Sequence, residues 1–274
     1  MPHKDMKLTR ISNQLFSLLL VATLTFTISC GPGKGTESTA EEETKEEVKE
    51  ISLTKAPASP AYENASLDLN NVKVLKGDST YSASFDFKVE NYDLGAQTEG
   101  ADTRGIANSG KGQHIHFIVN NGPYSAHYES GFSKDMEEGN YVLLAFLSRS
   151  YHESVKNPDA FWIDLVTVGE PEETMEVDFT APHMFYSRPK GTYSGADTEK
   201  VMLDFYLLNT TISPDGNKVK ATINGKEFMI DEWAPYYIEN APKGTLNVKL
   251  QLIDSEGNAI PGPFNTVERD VTLN

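Results

Sequence analysis

The stretch Thr80–Glu90, TYSASFDFKVE, decides how the rest of the chain is read. Tyr81, Ala83, Phe85, Phe87 and Val89 alternate with Ser82, Ser84, Asp86 and Lys88. A period of two puts the apolar set on one face of a half-buried strand. Far downstream, TLNVKLQLID repeats the pattern, with Leu246, Val248, Leu250 and Leu252 set against Asn247, Lys249 and Gln251. NYVLLAFLS (Asn140–Ser148) is apolar on both faces, as a central strand is. Turn residues divide these runs: NNGP, SPDGN, INGKE and DSEGN. No long helical period follows residue 61. Many short strands at this spacing predict an all-β chain of packed antiparallel sandwiches.

An internal repeat sets the number of sandwiches. HIHFIVNNGPY, NYVLLAFLS and AFWIDLVTV occur in the same order as KVKATINGKEF, TLNVKLQLID and PFNTVERDVTL. Upstream of each lies a further related strand, STYSASFDFKVE in one copy and EKVMLDFYLL in the other. The reading is two tandem immunoglobulin-like β-sandwich domains, residues 62–172 and 173–274, the latter beginning with a Pro/Gly-containing linker.

The N-terminus is of another kind. Lys4, Lys7 and Arg10 precede an uncharged run, Leu15–Ile28, too short for a comfortable membrane span. Basic, apolar and small-residue segments in that order predict a secretory signal over residues 1–30. It ends in TISC, where Cys30 is the only cysteine. The ending resembles a bacterial lipobox, with Thr27 in place of the usual leucine, and implies lipidation of Cys30. With one cysteine the chain can form no internal disulfide. Residues 31–61, beginning GPGKGTESTAEEETKEEVKE, are expected to be a disordered acidic tether. The expected location is therefore the cell envelope, lipid-anchored, with GPGKG after the cysteine favouring the periplasmic side of the outer membrane.

Forty acidic residues against 24 basic ones give a formal net charge of −16. Such a field repels nucleic acid, and there is no basic stripe or phosphate loop. The histidines offer more. His114 and His116 lie one residue apart on a strand face, and an H-x-H pair chelates zinc or copper(II) when a third ligand joins it. His127 and His152 are the candidate third ligands. Without thiolate or clear thioether donors, a blue-copper centre is excluded. Aligning the two Asn-Gly turns sets His114 and His116 on Lys218 and Lys220, which predicts that the pair faces solvent.

Other features are weighed against this one. The loop SRSYHES gathers Arg149, Tyr151 and Glu153 into a candidate ligand-binding loop. A hydrolase reading would pair Ser150 or Ser154 with His152 and Glu153, but sequence neighbours seldom reach triad geometry, so no enzyme is expected. Asp93–Gln113 is a long Gly/Ala/Ser-rich loop that could lid the histidine face or cross between sheets. Trp233, Tyr236 and Tyr237 form an aromatic cluster whose simpler role is packing. The metal-free alternative is a recognition module that binds an envelope protein, peptide or glycan through its loops.

ANSGKGQHIHF (107–117) and SRSYHESVKN (148–157) resemble a family of lipoproteins and secreted proteins of the Bacteroidetes and similar bacteria. Some members are labelled phosphopeptide-binding protein. The resemblance implies an envelope location and a β fold. The label implies a fork of basic residues, for which Arg104, Arg149 and Lys156 are available.

Overall fold

The computed structural model describes residues 49–274; the expected signal sequence, Cys30 and the first part of the expected tether lie outside the described residues. After a short strand β1 (Ser52–Lys55), the first sandwich is built from β2 (Ser66–Lys76), β3 (Tyr81–Glu90), β4 (His114–Val119), β5 (Ser125–His127), β6 (Gly131–Met136), β7 (Gly139–Ser148) and β8 (Phe161–Val168). The second follows with β9 (His183–Arg188), β10 (Thr192–Tyr193), β11 (Lys200–Leu208), β12 (Lys218–Ile223), β13 (Lys226–Ile230), β14 (Tyr236–Glu239), β15 (Gly244–Ile253) and β16 (Thr266–Leu273). The chain is a pair of tandem β-sandwiches.

Sheet β2-β3-β6 faces sheet β5-β4-β7-β8 in the first sandwich. Sheet β1-β14-β11-β9 faces sheet β10-β16-β15-β12-β13 in the second. Alternation along each strand fills the two cores. Phe85 and Phe87 of β3 meet Ile115 and Phe117 of β4 and Leu143, Ala145 and Leu147 of β7. Leu203 and Phe205 of β11 meet Val219 and Ala221 of β12 and Val248 and Leu250 of β15.

A third apolar layer joins the sandwiches. The apolar residues of β4 and β7 that point away from the first core are Ile118, Val142, Leu144 and Phe146, and they pack on Phe185 of β9 and Tyr206 and Leu208 of β11. The Phe146 and Tyr206 rings stack with centroids 4.8 Å apart. Burying such side chains contributes about 1.5–3 kcal/mol each. The inner strands are therefore apolar on both faces because each face serves a different core.

Hydrogen bonds fix the same contact. Asn121, in the left-handed turn after β4, accepts the Tyr186 amide at 2.8 Å and donates to the Met184 carbonyl at 3.3 Å. β9 is the edge of its sheet, and Asn121 satisfies backbone groups that an edge strand leaves open.

The tether needs correction. Within residues 31–61, β1 pairs antiparallel with β14, from Ser52 opposite Glu239 to Lys55 opposite Tyr236. Ile51 and Leu53 pack on the second core, which gives this segment the apolar surface that the acidic stretch before it lacks. The chain thus completes an edge of the second sandwich before it builds the first.

Candidate metal centre

The register of β4 decides where the histidines go. Ile115 and Phe117 enter the first core, so His114 and His116 point to the opposite face, into the layer between the sandwiches. Both rings are fully buried, at 0% exposure, which corrects the solvent-facing expectation. The equivalence with Lys218 and Lys220 holds for strand position but not for environment. β12 lies in an outer sheet whose far face is wet, whereas β4 lies in an inner one.

His152 arrives from the loop after β7. The loop closes on an isolated bridge between Ser148 and Ser154, and the His152 amide donates to the Arg149 carbonyl at 2.8 Å. His152 itself has φ +71°, a left-handed conformation that is uncommon outside glycine. Arg149 and Glu153 hold this turn. Their side chains pair at 3.1 Å, Arg149 donates to the Ser154 carbonyl at 2.8 Å, and its guanidinium also reaches the Pro60 carbonyl. Tyr151 is buried with Ala56, Ala101 and Met202. Arg149, Tyr151 and Glu153 are therefore mostly buried, with Arg149 and Glu153 forming part of the wall of a neighbouring pocket. They turn inward, because a polar loop at the seam has buried groups to satisfy, and they present His152. Neither serine meets His152: Ser150 accepts the Thr98 amide at 3.2 Å and Ser154 donates to Asp204 at 3.2 Å.

Three imidazoles converge. His116 Nε2 lies 2.9 Å from His114 Nε2, and His152 Nδ1 lies 3.1 Å from the same atom. One ligand nitrogen from each of the three lies within 4.8 Å of the others. His114 Nδ1 is 2.8 Å from the Gly112 carbonyl, which only accepts, so Nδ1 carries the proton and Nε2 carries a lone pair. Gly112 has φ +86°, and a Cβ there would sit 2.2 Å from the Gly95 carbonyl oxygen. That close approach locks the carbonyl that orients His114. His116 Nδ1 bonds Ser187 of β9 at 3.2 Å, which leaves its Nε2 directed at the centre. Such outer hydrogen bonds set the tautomer of a metal-ligating histidine.

Burial is the main reason that all three rings are neutral. It holds His114 at about 4 and puts His116 and His152 well below the usual histidine range, and repulsion from Arg188 adds to it. Neutral imidazole is the metal-binding form. The His114 Nε2 lone pair is the shared neighbour of both other ligand nitrogens. An ion 2.0–2.1 Å from each nitrogen would hold them about 3.3–3.6 Å apart, so the two short contacts at His114 would open by a few tenths of an ångström and His116 and His152 would adjust to the same spacing. The residues fit a transition metal. An oxyanion needs wider donor spacing.

His127 does not join them. It pairs opposite Ile115 and so shares the face of Ile115 and Phe117; its ring stacks on Phe132 at 3.4 Å and bonds Ser125 at 2.8 Å. One residue of register separates it from the histidine face. His183 is also apart, with Nε2 on the Asp178 carbonyl at 2.8 Å.

The surroundings include groups that lay beyond sequence reasoning. Tyr124 stacks on His116 with centroids 3.5 Å apart and 13° between planes, and its hydroxyl lies 3.3 Å from His152 Nδ1. Lys190 stands 4.3 Å and Arg188 5.5 Å from the Tyr124 ring centroid. Only the pairing of the sandwiches brings Ser187, Arg188 and Lys190 here. The Asp93–Gln113 loop is the crossover from β3 to β4, and its Ser109 holds Tyr128, whose ring covers His114 at 5.0 Å. In the other cluster, Tyr236 and Tyr237 are buried and the Trp233 indole donates to the Phe205 carbonyl at 3.0 Å.

No protein-family model and no curated protein matches the chain. Among solved structures it is similar to the fibronectin(III)-like modules of Clostridium thermocellum CbhA, at 12% identity and a TM-score of 0.27, over 76% of this chain and 93% of that one. It is similar to a two-domain fibronectin type III segment of chicken tenascin at 8% identity and a TM-score of 0.21, over 74% and 98% of the two chains. It is also similar to the Bacteroides ovatus mixed-linkage glucan utilization locus SGBP-B, solved with a mixed-linkage heptasaccharide, at 12% identity and a TM-score of 0.22, over 76% and 47%. The architecture itself rests on the strand pairing described above.

Proposed function

We propose that this protein is a non-enzymatic binding protein of the bacterial envelope, lipid-anchored through Cys30, that holds a transition-metal ion between its two sandwiches. The observation that carries the metal reading is the convergence of His114, His116 and His152, three neutral imidazoles oriented by Gly112, Ser187 and a left-handed turn. Imidazole donors suit zinc and copper. The likeness of ANSGKGQHIHF and SRSYHESVKN to envelope lipoproteins supports the location.

The test is calorimetric titration of the full chain with zinc and copper(II), and with copper(I) under anaerobic conditions, beside His114→Ala/His116→Ala and His152→Asn. Asparagine tolerates the left-handed backbone, so the last variant keeps the turn. Stoichiometric binding lost in both variants is the expected result. Absent binding, or binding that the variants leave unchanged, overturns the proposal.

A second reading has its own observation. A groove of about 550 Å³ runs along the seam between the sandwiches, lined by Phe161, Tyr206, Trp233, Lys156 and Asn209. Aromatic walls with a polar rim favour a recognition module for a peptide or glycan. An ordered ligand in that groove with no metal bound would establish it.

A further inference from the structure

Resting on the metal reading above, we infer that the ion this centre selects is monovalent: copper(I), bound by the three imidazoles alone.

The donor set comes first. Zinc in a protein site is almost always four-coordinate, with a fourth protein ligand or an open position for water. Here the next donor outward is the Tyr124 hydroxyl. Its ring lies flat on His116, centroids 3.5 Å apart and planes 13° apart. The phenol oxygen stands to one side of the His116 ring plane, 3.3 Å from His152 Nδ1, so Tyr124 caps the site as a hydrogen-bonding neighbour of a ligand. His114 and His116 have no exposed surface and Tyr128 covers His114, so the half-buried His152 is the one side by which water can reach the site. Copper(I), with a filled d shell and low charge, is satisfied by three nitrogens.

The charge comes second. No carboxylate is among the groups that act on the three rings; the side-chain cations that do are Arg188 and Lys190. Arg188 is 7% exposed, its Nε has no acceptor, and neither it nor Lys190 makes an ion pair among the described residues. Of the buried acids nearby, Asp204 lies opposite Arg188 across β11 and β9 and pairs with Lys156 at 2.6 Å, and Glu153 pairs with Arg149 at 3.1 Å. A divalent ion would enter a buried site of neutral ligands beside two cations, Lys190 and an Arg188 that Asp204 offsets only in part because Lys156 shares that carboxylate. The desolvation penalty grows with the square of the charge, so a monovalent ion meets about a quarter of it. Repulsion from Arg188 and Lys190 is linear in the ion's charge and is halved. Both effects separate copper(I) from zinc and copper(II) while the ligands stay the same. Copper enters and leaves as copper(I), so binding involves no electron transfer.

The experiment uses the full chain under anaerobic conditions. Copper(I) is supplied from a chromophoric chelator and zinc is measured in a parallel competition, with His152→Asn and Lys190→Met beside the parent. One copper(I) per chain is expected, undisplaced by a hundredfold excess of zinc and lost in His152→Asn. Lys190→Met removes one unit of repulsion, so zinc affinity should rise by the square of the factor seen for copper(I), about tenfold against about threefold. Zinc that binds as tightly as copper(I), or equal factors for the two ions in Lys190→Met, overturns the choice of ion and leaves the metal reading intact. If neither ion binds, or both bind equally to His152→Asn, the metal reading itself falls and this inference with it.

Discussion

Acidifying the metal-free protein should unlock the seam between the sandwiches well before ordinary acid denaturation. His114 is held at about 4 in the folded chain, mainly by burial, against 6.5 when it is free. A folded value below the unfolded one means that the unfolded chain takes up the proton first. The associated stability is whole above 6.5 and is lost as the pH falls from 6.5 towards 4. At pH 5 this one ring costs about 2 kcal/mol, and about 3 kcal/mol once the pH is below both values. His116 and His152 are lowered by the same cause and act with the same sign. A domain of this kind has only about 5–15 kcal/mol in total. The assay is urea denaturation of chelator-treated protein at pH 7.5 and 5.0, a range in which most carboxylates stay ionised. With an m-value near 2 kcal/mol/M, His114 alone lowers the midpoint by about 1 M. His152→Asn should show a shallower loss, since it removes one titrating ring. A midpoint that does not move between the two pH values would refute the claim that these imidazoles are buried neutral.

Four further outcomes follow from the packing. Phe146→Ala removes a fully buried ring from the layer between the sandwiches and should cost about 3–5 kcal/mol, read as a lower thermal midpoint. Gly112→Ala drives a Cβ into the Gly95 carbonyl at a left-handed position and should shift the NMR signals of His114 while destabilising the chain by about 2 kcal/mol or more. Arg149→Met leaves Glu153 buried without its partner and should cost about 3–5 kcal/mol in denaturant unfolding. His127→Phe keeps the stack on Phe132 and should leave metal stoichiometry unchanged in calorimetry, because that ring is on the other face of the sheet.

Much of the fold was legible because alternation is a local signal. TYSASFDFKVE is β3 and TLNVKLQLID lies in β15, each with the apolar face in a core. The repeat also maps correctly strand by strand: β4 with β12, β7 with β15, β8 with β16, β3 with β11. The stacking of the sandwiches was written less plainly. VLLAFL in β7 and VMLDFYLL in β11 are apolar on both faces, and these are the strands of the two inner sheets. TLNVKLQL in β15 and TVERDVTL in β16 are apolar on one face, and they lie in an outer sheet. Two-faced strands in both halves of one chain mark the surfaces that meet. Ile51 and Leu53 were hidden by the acidic residues before them, and their partner β14 lies more than 180 residues away.

The site was half legible for the same physical reason. His114, His116 and His152 stand out as residue types, and the H-x-H spacing puts two of them on one strand face. Their burial could not be inferred from the repeat. A lysine at an equivalent position reports exposure only when both copies have the same neighbours, and stacking two sandwiches gives each a different covered face. Lys218 and Lys220 look outward from β12, whereas His114 and His116 look into the other sandwich. The same pair of histidines placed on β12 would be solvated, would titrate near 6.5 and would have no Ser187 to orient a ring. What makes these imidazoles neutral, oriented and buried is the second sandwich closing over them. The site is therefore a property of the docked pair of sandwiches, and a first sandwich freed from the second should lose the neutral, oriented ligands together with the burial that creates them.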